Sequence, residues 1–233
     1  MTEEQRTIAN NIGRIRERIT TAAHRAGRSP ENISIIAVTK YADIAQTRCV
    51  ALAGLRDLGE SRPQMLWEKA TSLKGESIRW HLVGHLQRNK VARTVATTHL
   101  IHSVDSQRLL KEIERESEKL DRAADILLEV NISGETDKHG FATSELGATL
   151  NFIADLPHIR VHGLMAMASR EGGPSVAQKE FAAVRTLRDS LSENLPTNVS
   201  LNELSLGMSG DLEEAILEGA TMVRIGRALF ENL

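Results

Sequence analysis

Ile33-Ser-Ile-Ile-Ala-Val-Thr-Lys40 is an apolar run, rich in β-branched residues, that ends on a lysine, and it reads as a buried strand. Side chains alternate faces on a strand, so Lys40 is expected on the face of Val38, Ile36 and Ser34, with Tyr41 on the other. An amine at the rim of an apolar wall can be partly desolvated, which lowers its pKa from about 10.4 and makes it a nucleophile or Schiff-base former. The competing reading is a solvated loop lysine just past a strand. The order of elements on either side decides between them.

Upstream, Ile8, Ile12, Ile15, Ile19 and Ala22 recur at three- and four-residue steps, which predicts an amphipathic helix from Glu3 to Arg25, stopped near Gly27 and Pro30. Downstream, strands are expected at Arg56–Gly59, Arg79–Val83, His99–Val104, Asp125–Ile132, Ile159–Ala168, Leu204–Met208 and Thr221–Gly226. Between them, helices are expected at Ile44–Leu55, Gln64–Leu73, Gln87–Val95, Ser106–Leu120, Ser144–Leu156, Ser175–Leu195 and Asp211–Glu218. Strand and helix thus alternate about eight times, with short connections and no low-complexity linker. This pattern favours an α/β fold built as a single (β/α)8 barrel over residues 1–233, with an extra N-terminal helix; an open doubly wound sheet is the alternative. In such a barrel chemistry sits at the carboxyl ends of the strands, which is where Lys40 falls.

The chain has 233 residues and a formal net charge of −2, so its charge suggests neither nucleic acid nor an anionic membrane as a partner. The single cysteine, Cys49, excludes an internal disulfide and a cysteine-based zinc site. The polar N-terminus lacks a leader-like apolar segment, and no run has the ~18 apolar residues of a membrane span. A cytoplasmic protein is the expectation.

Ser205-Leu-Gly-Met-Ser-Gly-Asp-Leu-Glu-Glu-Ala215 reads as a strand entering a Gly/Ser turn and then a helix. Free amides at that helix start, with the Ser209 hydroxyl, form an anion site, and the loops after strands seven and eight are the usual phosphate site of these barrels. The alternative is that Ser209 only caps the helix. Gly207-Met-Ser-Gly210 is no nucleophile elbow, because Asp211 stands where that motif needs glycine. Arg224, between Val223 and Ile225 on the last strand, is costly to bury without acceptors; either an ion pair with Glu203 or Glu129, or a ligand atom, satisfies it. Gly226-Arg227 supplies a close backbone approach and a second cation beside the same loop. His81 and His85 have H-x3-H spacing but straddle a strand end, and with no third ligand specified no metal is expected.

Together, Ala37-Val-Thr-Lys40, Gly59-Glu-Ser61, Trp80-His-Leu-Val-Gly-His-Leu-Gln-Arg-Asn-Lys90, His102-Ser-Val-Asp105, Val130-Asn-Ile132, Gly163-Leu-Met165, Leu206-Gly-Met-Ser209 and Met222-Val-Arg-Ile-Gly226 resemble the pyridoxal-phosphate homeostasis protein family nearly end to end. The resemblance implies a barrel similar to the N-terminal domain of alanine racemase, holding pyridoxal 5′-phosphate (PLP) as a Schiff base on Lys40. It further implies a phosphate loop at Met208 and Ser209, a second phosphate contact at Gly226 and the adjoining Arg227 amide, and Arg224 facing the pyridine nitrogen. Ser61 matches a cofactor contact that is commonly Asn in the family, and His85 stands where Pro is frequent.

The function implied by the resemblance is intracellular PLP homeostasis, with little or no catalysis. PLP is the implied ligand, and apo PLP enzymes are candidate recipients. A monomer is expected, with weak dimerisation as the alternative. The rival function is an amino-acid racemase, which needs two bases on opposite faces of the substrate. The only tyrosine, Tyr41, is expected on the strand face away from Lys40, and no C-terminal β domain to supply another is expected in 233 residues that a barrel fills. A third reading is a barrel for some other phosphorylated metabolite, with Lys40 as an aldolase-type amine.

Overall fold

Short apolar strands separated by helices have to pair in parallel, because a crossover of a dozen or more residues returns the chain to the same end of the sheet. A computed structural model describes residues 1–135, 139–169 and 171–233. After the N-terminal helix α1 (Glu3–Arg25) come β1 (Ser34–Val38), α2 (Ile44–Leu52), β2 (Asp57–Glu60), α3 (Pro63–Ser72), β3 (Arg79–Leu82), α4 (Val91–Thr97), β4 (Leu100–Val104) and α5 (Gln107–Lys119). The second half runs β5 (Ala124–Val130), α6 (Leu146–Ile153), β6 (Ile159–Ala166), α7 (Gly173–Leu191), β7 (Val199–Ser205), α8 (Leu212–Leu217) and β8 (Met222–Ile225). The eight strands pair in chain order and close, β8 against β1, with Ala37 opposite Ile225. No helix among the described residues is long and apolar enough to cross a membrane.

The two-residue period divides the sheet. Ala37, Leu58, Trp80, Leu82, Ile101, Ile126, Leu128, Leu164, Leu204, Val223 and Ile225 face the helices in one large apolar cluster. A much smaller cluster of Leu100, Leu127 and Met165, with Met222 against it, lies inside the barrel. Two residues further along the same strands stand His102, Glu129 and Arg224, so the layer above is polar. The interior is packed at its middle and polar toward the carboxyl ends.

α1 begins with a full capping box between Thr2 and Gln5 and buries the predicted isoleucine stripe. Arg18 of α1 forms a two-pronged ion pair with Glu213 (2.7 and 2.8 Å) and donates to the carbonyl of Ser209 at 3.1 Å. Asn11 holds the chain's end by donating to the carbonyls of Leu229 (3.1 Å) and Glu231 (2.9 Å). The extra helix thus braces the loop between β7 and α8.

Two expectations need correction. The seventh strand is Val199–Ser205 rather than Leu204–Met208. Buried Val199 and Leu201 alternate there with more open Ser200 and Asn202, a half-buried pattern weaker than a continuous apolar run. The chain leaves the sheet at Leu206, and Gly207 takes a left-handed φ of +77°, where a Cβ would meet that of Ala215 at 2.5 Å. The second correction concerns the end of β1, which stops at Val38. The Ala42 amide then donates to the Thr39 carbonyl (2.9 Å), turning the chain. Strand alternation therefore does not extend to Lys40 or Tyr41.

That turn is fixed from below by a buried ion pair. Lys69 of α3, 1% exposed, reaches Glu60, 0% exposed, at 2.5 Å and donates to the Thr39 carbonyl at 2.7 Å. Thr39 adds its hydroxyl to the same Glu60 oxygen at 2.7 Å. Removing one member of such a pair leaves a buried charge uncompensated. Lys69→Met is expected to cost about 3–5 kcal/mol in urea unfolding, and Lys69→Met/Glu60→Leu to recover most of that loss. A single variant as stable as its parent would contradict this role.

Candidate functional site at the barrel mouth

Four neighbouring strand ends supply the residues singled out in the sequence. β7 leads into Met208 and Ser209, β8 into Gly226 and Arg227, β1 into Lys40, and β2 into Ser61. The Arg224 amide donates to the Gly207 carbonyl at 3.0 Å, which ties the β7–α8 loop to β8. The Ala228 amide points at the Ser209 hydroxyl at 3.5 Å. Serine and the backbone after Gly226 are therefore brought side by side, as an anion cradle requires. Gly226 lies against β1, and a Cβ there would come within 3.4 Å of the Val38 carbonyl. Ser61 passes beneath Gly84, where a Cβ would collide with the Ser61 carbonyl at 2.3 Å, so the ends of β2 and β3 touch through backbone. A small cleft of ≈ 200 Å³ opens there, between Ser61, Arg62, His85 and Lys90. A larger cleft, ≈ 410 Å³, lies at the opposite, amino end, where Ser34, Asp57 and Arg79 begin their strands. The helix-plus-loop chemistry described above is at the carboxyl end, so the larger cleft is not its site.

Lys40 differs from the expectation. It is exposed, and its Nζ lies 5.0 Å from the ring centroid of Tyr41, itself 82% exposed. Because the turn begins at Thr39, both side chains leave the rim on the same side. Met208 is also partly committed, for its amide donates to the Asp211 carboxylate at 2.5 Å. Burial pushes the Asp211 carboxyl up, against the favourable Met208 amide and the charge of Arg224. Arg227 is exposed.

Arg224 is buried at 5% exposure, and among the described residues it forms no ion pair. Nη1 donates to the Ser205 carbonyl (2.5 Å) and hydroxyl (2.8 Å), and Nη2 donates to the Ala166 carbonyl (2.9 Å). Glu203, an expected partner, instead accepts from the Thr221 hydroxyl at 2.5 Å. Burial pulls the guanidinium down to about 10, with Asp211 and Glu129 opposing, so it stays charged at neutral pH. Of its five N–H groups, two have no partner among these bonds.

From Ser205 the hydrogen bonds continue through the barrel. The Ser205 hydroxyl is 2.9 Å from His102 Nδ1, His102 Nε2 is 2.9 Å from His81 Nδ1, and His81 Nε2 is 3.0 Å from Asp57. Asp57 is also held by Arg79 at 2.5 Å. Burial, followed by the charges of His81 and Arg224, keeps His102 well below the ordinary histidine range. Burial disfavours ionised Asp57, but the bonds from His81 and Arg79 outweigh it and hold the carboxyl well below the usual range. One assignment of protons satisfies every link: Arg224 donates to Ser205, Ser205 to His102, His102 to His81, and His81 to the Asp57 carboxylate.

Sequence reading missed the Glu60–Lys69 pair and the length of this chain of hydrogen bonds; it named Glu129 only as a partner for Arg224, not as a buried acid in its own right. Glu129 lies on β5, 5% exposed, two residues above Leu127 of the interior cluster. Burial, then the charge of Asp105, raises its carboxyl to about 7, with Arg224 opposing. The signal was present in Leu127-Leu-Glu129, where an acid takes an inward position on an otherwise apolar strand. His81 and His85 do part company: His81 joins the interior, and His85 turns out toward Asp105, 3.0 Å away.

The model of the alanine racemase N-terminal domain family matches residues 8–232. A pyridoxal phosphate homeostasis protein of Pseudomonas aeruginosa is 38% identical over 224 residues, 96% of this chain and 95% of its own length. A protein of the same name from Escherichia coli is 33% identical over 226 residues, covering 96% of this chain and 95% of its own. Among solved structures, PipY of Synechococcus elongatus with PLP bound superposes with a TM-score of 0.84 at 32% identity, over 96% of this chain and 99% of that one.

Glu129 and His102 load the pH dependence of stability in opposite directions. A buried acid with a raised folded pKa binds more protons folded than unfolded, so stability falls as pH climbs from the unfolded value to about 7. A histidine with a lowered folded pKa does the reverse, and its contribution is lost as pH falls below the unfolded value near ~6.5. In urea unfolding without added ligand, Glu129→Gln is expected to gain stability relative to its parent between about pH 5 and about pH 8, by on the order of 1–3 kcal/mol. A difference independent of pH would remove Glu129 from this account.

Proposed function

We infer the function from descent: this chain belongs to the pyridoxal phosphate homeostasis protein family, built on the alanine racemase N-terminal fold, and we propose that it binds PLP at the carboxyl-end mouth as a carrier. Lys40 is the residue proposed to hold it, as a Schiff base. The observation that carries the reading is the convergence of an anion cradle, at Ser209 and the backbone after Gly226, with a buried guanidinium at Arg224 that keeps unused N–H groups.

The donor set fits such a ligand. A phosphate needs several converging N–H and O–H donors, and the Ser209 hydroxyl beside the Ala228 amide at 3.5 Å begins that set. Gly226 adds a backbone without a side chain against Val38. Met208 and Asp211 bear on the cost of entry, because the Met208 amide already donates to the Asp211 carboxylate and would have to be released to serve a phosphate. A guanidinium stays protonated, so Arg224 would offer donors to a pyridine nitrogen and would favour its unprotonated form. PLP in general supplies a carbonyl for amines and an electron sink, and an arginine partner weakens the sink. Ser61, at the edge of the small cleft, completes the contacts as the shorter counterpart of a more common Asn. Exposure of Lys40 suits a carrier, since an amine that water reaches can load and release an aldehyde.

PLP homeostasis with little or no turnover is the conclusion. The chain acts in the cytoplasm, as one cofactor-binding barrel and as a monomer, and apo PLP enzymes are its recipients. Tyr41 lies against the Lys40 amine, on its side of the rim, and so does not supply a base on the opposite face of a substrate. One observation favours a second reading, weak amino-acid racemisation: burial and Asp105 raise the Glu129 carboxyl, on the inner face of β5, to about 7.

Purified protein should be yellow or become so with added PLP. Its absorption should shift on borohydride reduction, after which the peptide containing Lys40 should carry the pyridoxyl mass. Lys40→Ala should abolish that label, and a label on another lysine would refute the assignment. Racemised alanine or serine that disappears in Glu129→Gln but survives in Tyr41→Phe would establish the second reading.

A further inference from the structure

The cofactor reading uses the ends of β7, β8, β1 and β2. The remaining arc of the rim, over β3, β4 and β5, carries another constellation. His85 follows β3, Asp105 follows β4, and His139 lies between β5 and α6. Asp105 Oδ2 is 3.0 Å from His85 Nδ1 and 3.6 Å from His139 Nδ1. One ligand atom of each residue lies within 4.8 Å of the others. The two imidazole rings are stacked, 4.1 Å between centroids and 15° between planes.

These three side chains are held by backbone rather than gathered by chance. The Ser103 hydroxyl donates to the Gly84 carbonyl at 2.7 Å, which joins the loop of His85 to the strand of Asp105. After β5 the chain folds back on itself: the Asn131 amide donates to the Phe141 carbonyl (3.0 Å), and the Phe141 amide to the Glu129 carbonyl (2.8 Å). Gly140 has a left-handed φ of +116°, and a Cβ there would lie 2.6 Å from the Asn131 amide. His139 is therefore placed one residue before a closed backbone clasp. A hydrogen bond accounts for the His85–Asp105 distance, whereas 3.6 Å is too long for one from His139. The second ring is thus aimed at an occupied oxygen without bonding to it.

From this geometry we propose that His85, Asp105 and His139 form a binding site for a divalent transition-metal cation of the zinc class. Two imidazole nitrogens and one carboxylate oxygen are the donor set that favours zinc, cobalt or nickel over magnesium or calcium. Three protein ligands leave a fourth position for water, and the side chains of His85 and His139, 42% and 58% exposed, leave the site open to it. A cation there offsets the repulsion between Asp105 and Glu129. It also cross-links the rim segments after β3, β4 and β5. The site does not depend on PLP binding.

The test uses the full-length protein, stripped with chelator, titrated with Zn²⁺ by calorimetry and with Co²⁺ by visible absorption. One ion per chain is expected, with the absorption of a four-coordinate Co²⁺ site. His139→Ala and His85→Ala should each weaken binding by at least about tenfold. Both residues are exposed, so neither change should disturb the fold, as circular dichroism would verify. The control is His158→Ala/His162→Ala, which removes the histidines that pair with Glu114 at 2.7 Å and Asp125 at 2.6 Å; it should bind as the parent does. Absence of saturable binding, binding retained in His85→Ala/His139→Ala, or equal loss in the control would each overturn the proposal, the last by marking adventitious histidine binding.

Discussion

A guanidinium inside a closed barrel is the constraint to which the rest of the interior answers. Taking such a charge out of water costs several kcal/mol even after relaxation, and charge-assisted hydrogen bonds return about 1.5–3 kcal/mol each. Arg224 meets that cost with the carbonyls of Ser205 and Ala166 and the hydroxyl of Ser205. Once Ser205 accepts from arginine, its own proton has to go elsewhere, and His102 and His81 carry the demand down to Asp57. A charge needed at the mouth thereby dictates polar residues through the depth of the barrel. The dry interior cluster shrinks to Leu100, Leu127, Met165 and Met222 as a result.

The rim is stiff where the proposed ligand would touch it. The turn carrying Lys40 rests on the Glu60–Lys69 pair, and the loop carrying Ser209 rests on Arg18 of α1. Both supports come from outside the mouth, from the layer of helices. The lysine itself is exposed, so the backbone around it is fixed while the amine is free. That division suits reversible capture better than chemistry requiring an amine held in one pose. Two arcs of the rim are then distinct in character, one rich in anion donors at β7, β8, β1 and β2, the other rich in imidazole and carboxylate at β3 to β5.

Much of this was legible from the chain. The isoleucine ladder of α1 gave both ends of that helix, because a long 3.6-residue repeat with clear caps leaves little choice. Arg224, Gly226 and Ser209 stood out as a cation, a bare backbone position and a hydroxyl at strand ends. β7 was displaced because its alternation is half-polar, and the apolar Leu204-Ser-Leu206 drew the expected strand past the point where Gly207 turns it. Glu60 and Lys69 read locally as ordinary charges, since nothing in their immediate neighbours marks either as buried. Strand alternation assigns Lys40 a face that it lacks, because Lys40 lies two residues beyond Val38, the last residue of β1, where the chain has already turned.

Local chemistry along the chain was enough for the eight-fold alternation, the parallel sheet and the end of the barrel on which Lys40, Ser209 and Gly226 lie. Periodicity and turn residues act over a few positions, and they are written in order. Which side chains meet was decided only by closure of the barrel. His81 and His102, Arg224 and Ser205, and His85, Asp105 and His139 are each brought together by strands whose neighbours are set by pairing, not by spacing. Burial followed from the same closure, and with it the shifted acidity of Glu129 and His102. Dielectric surroundings are a property of the packed whole, so no stretch of sequence carries them alone.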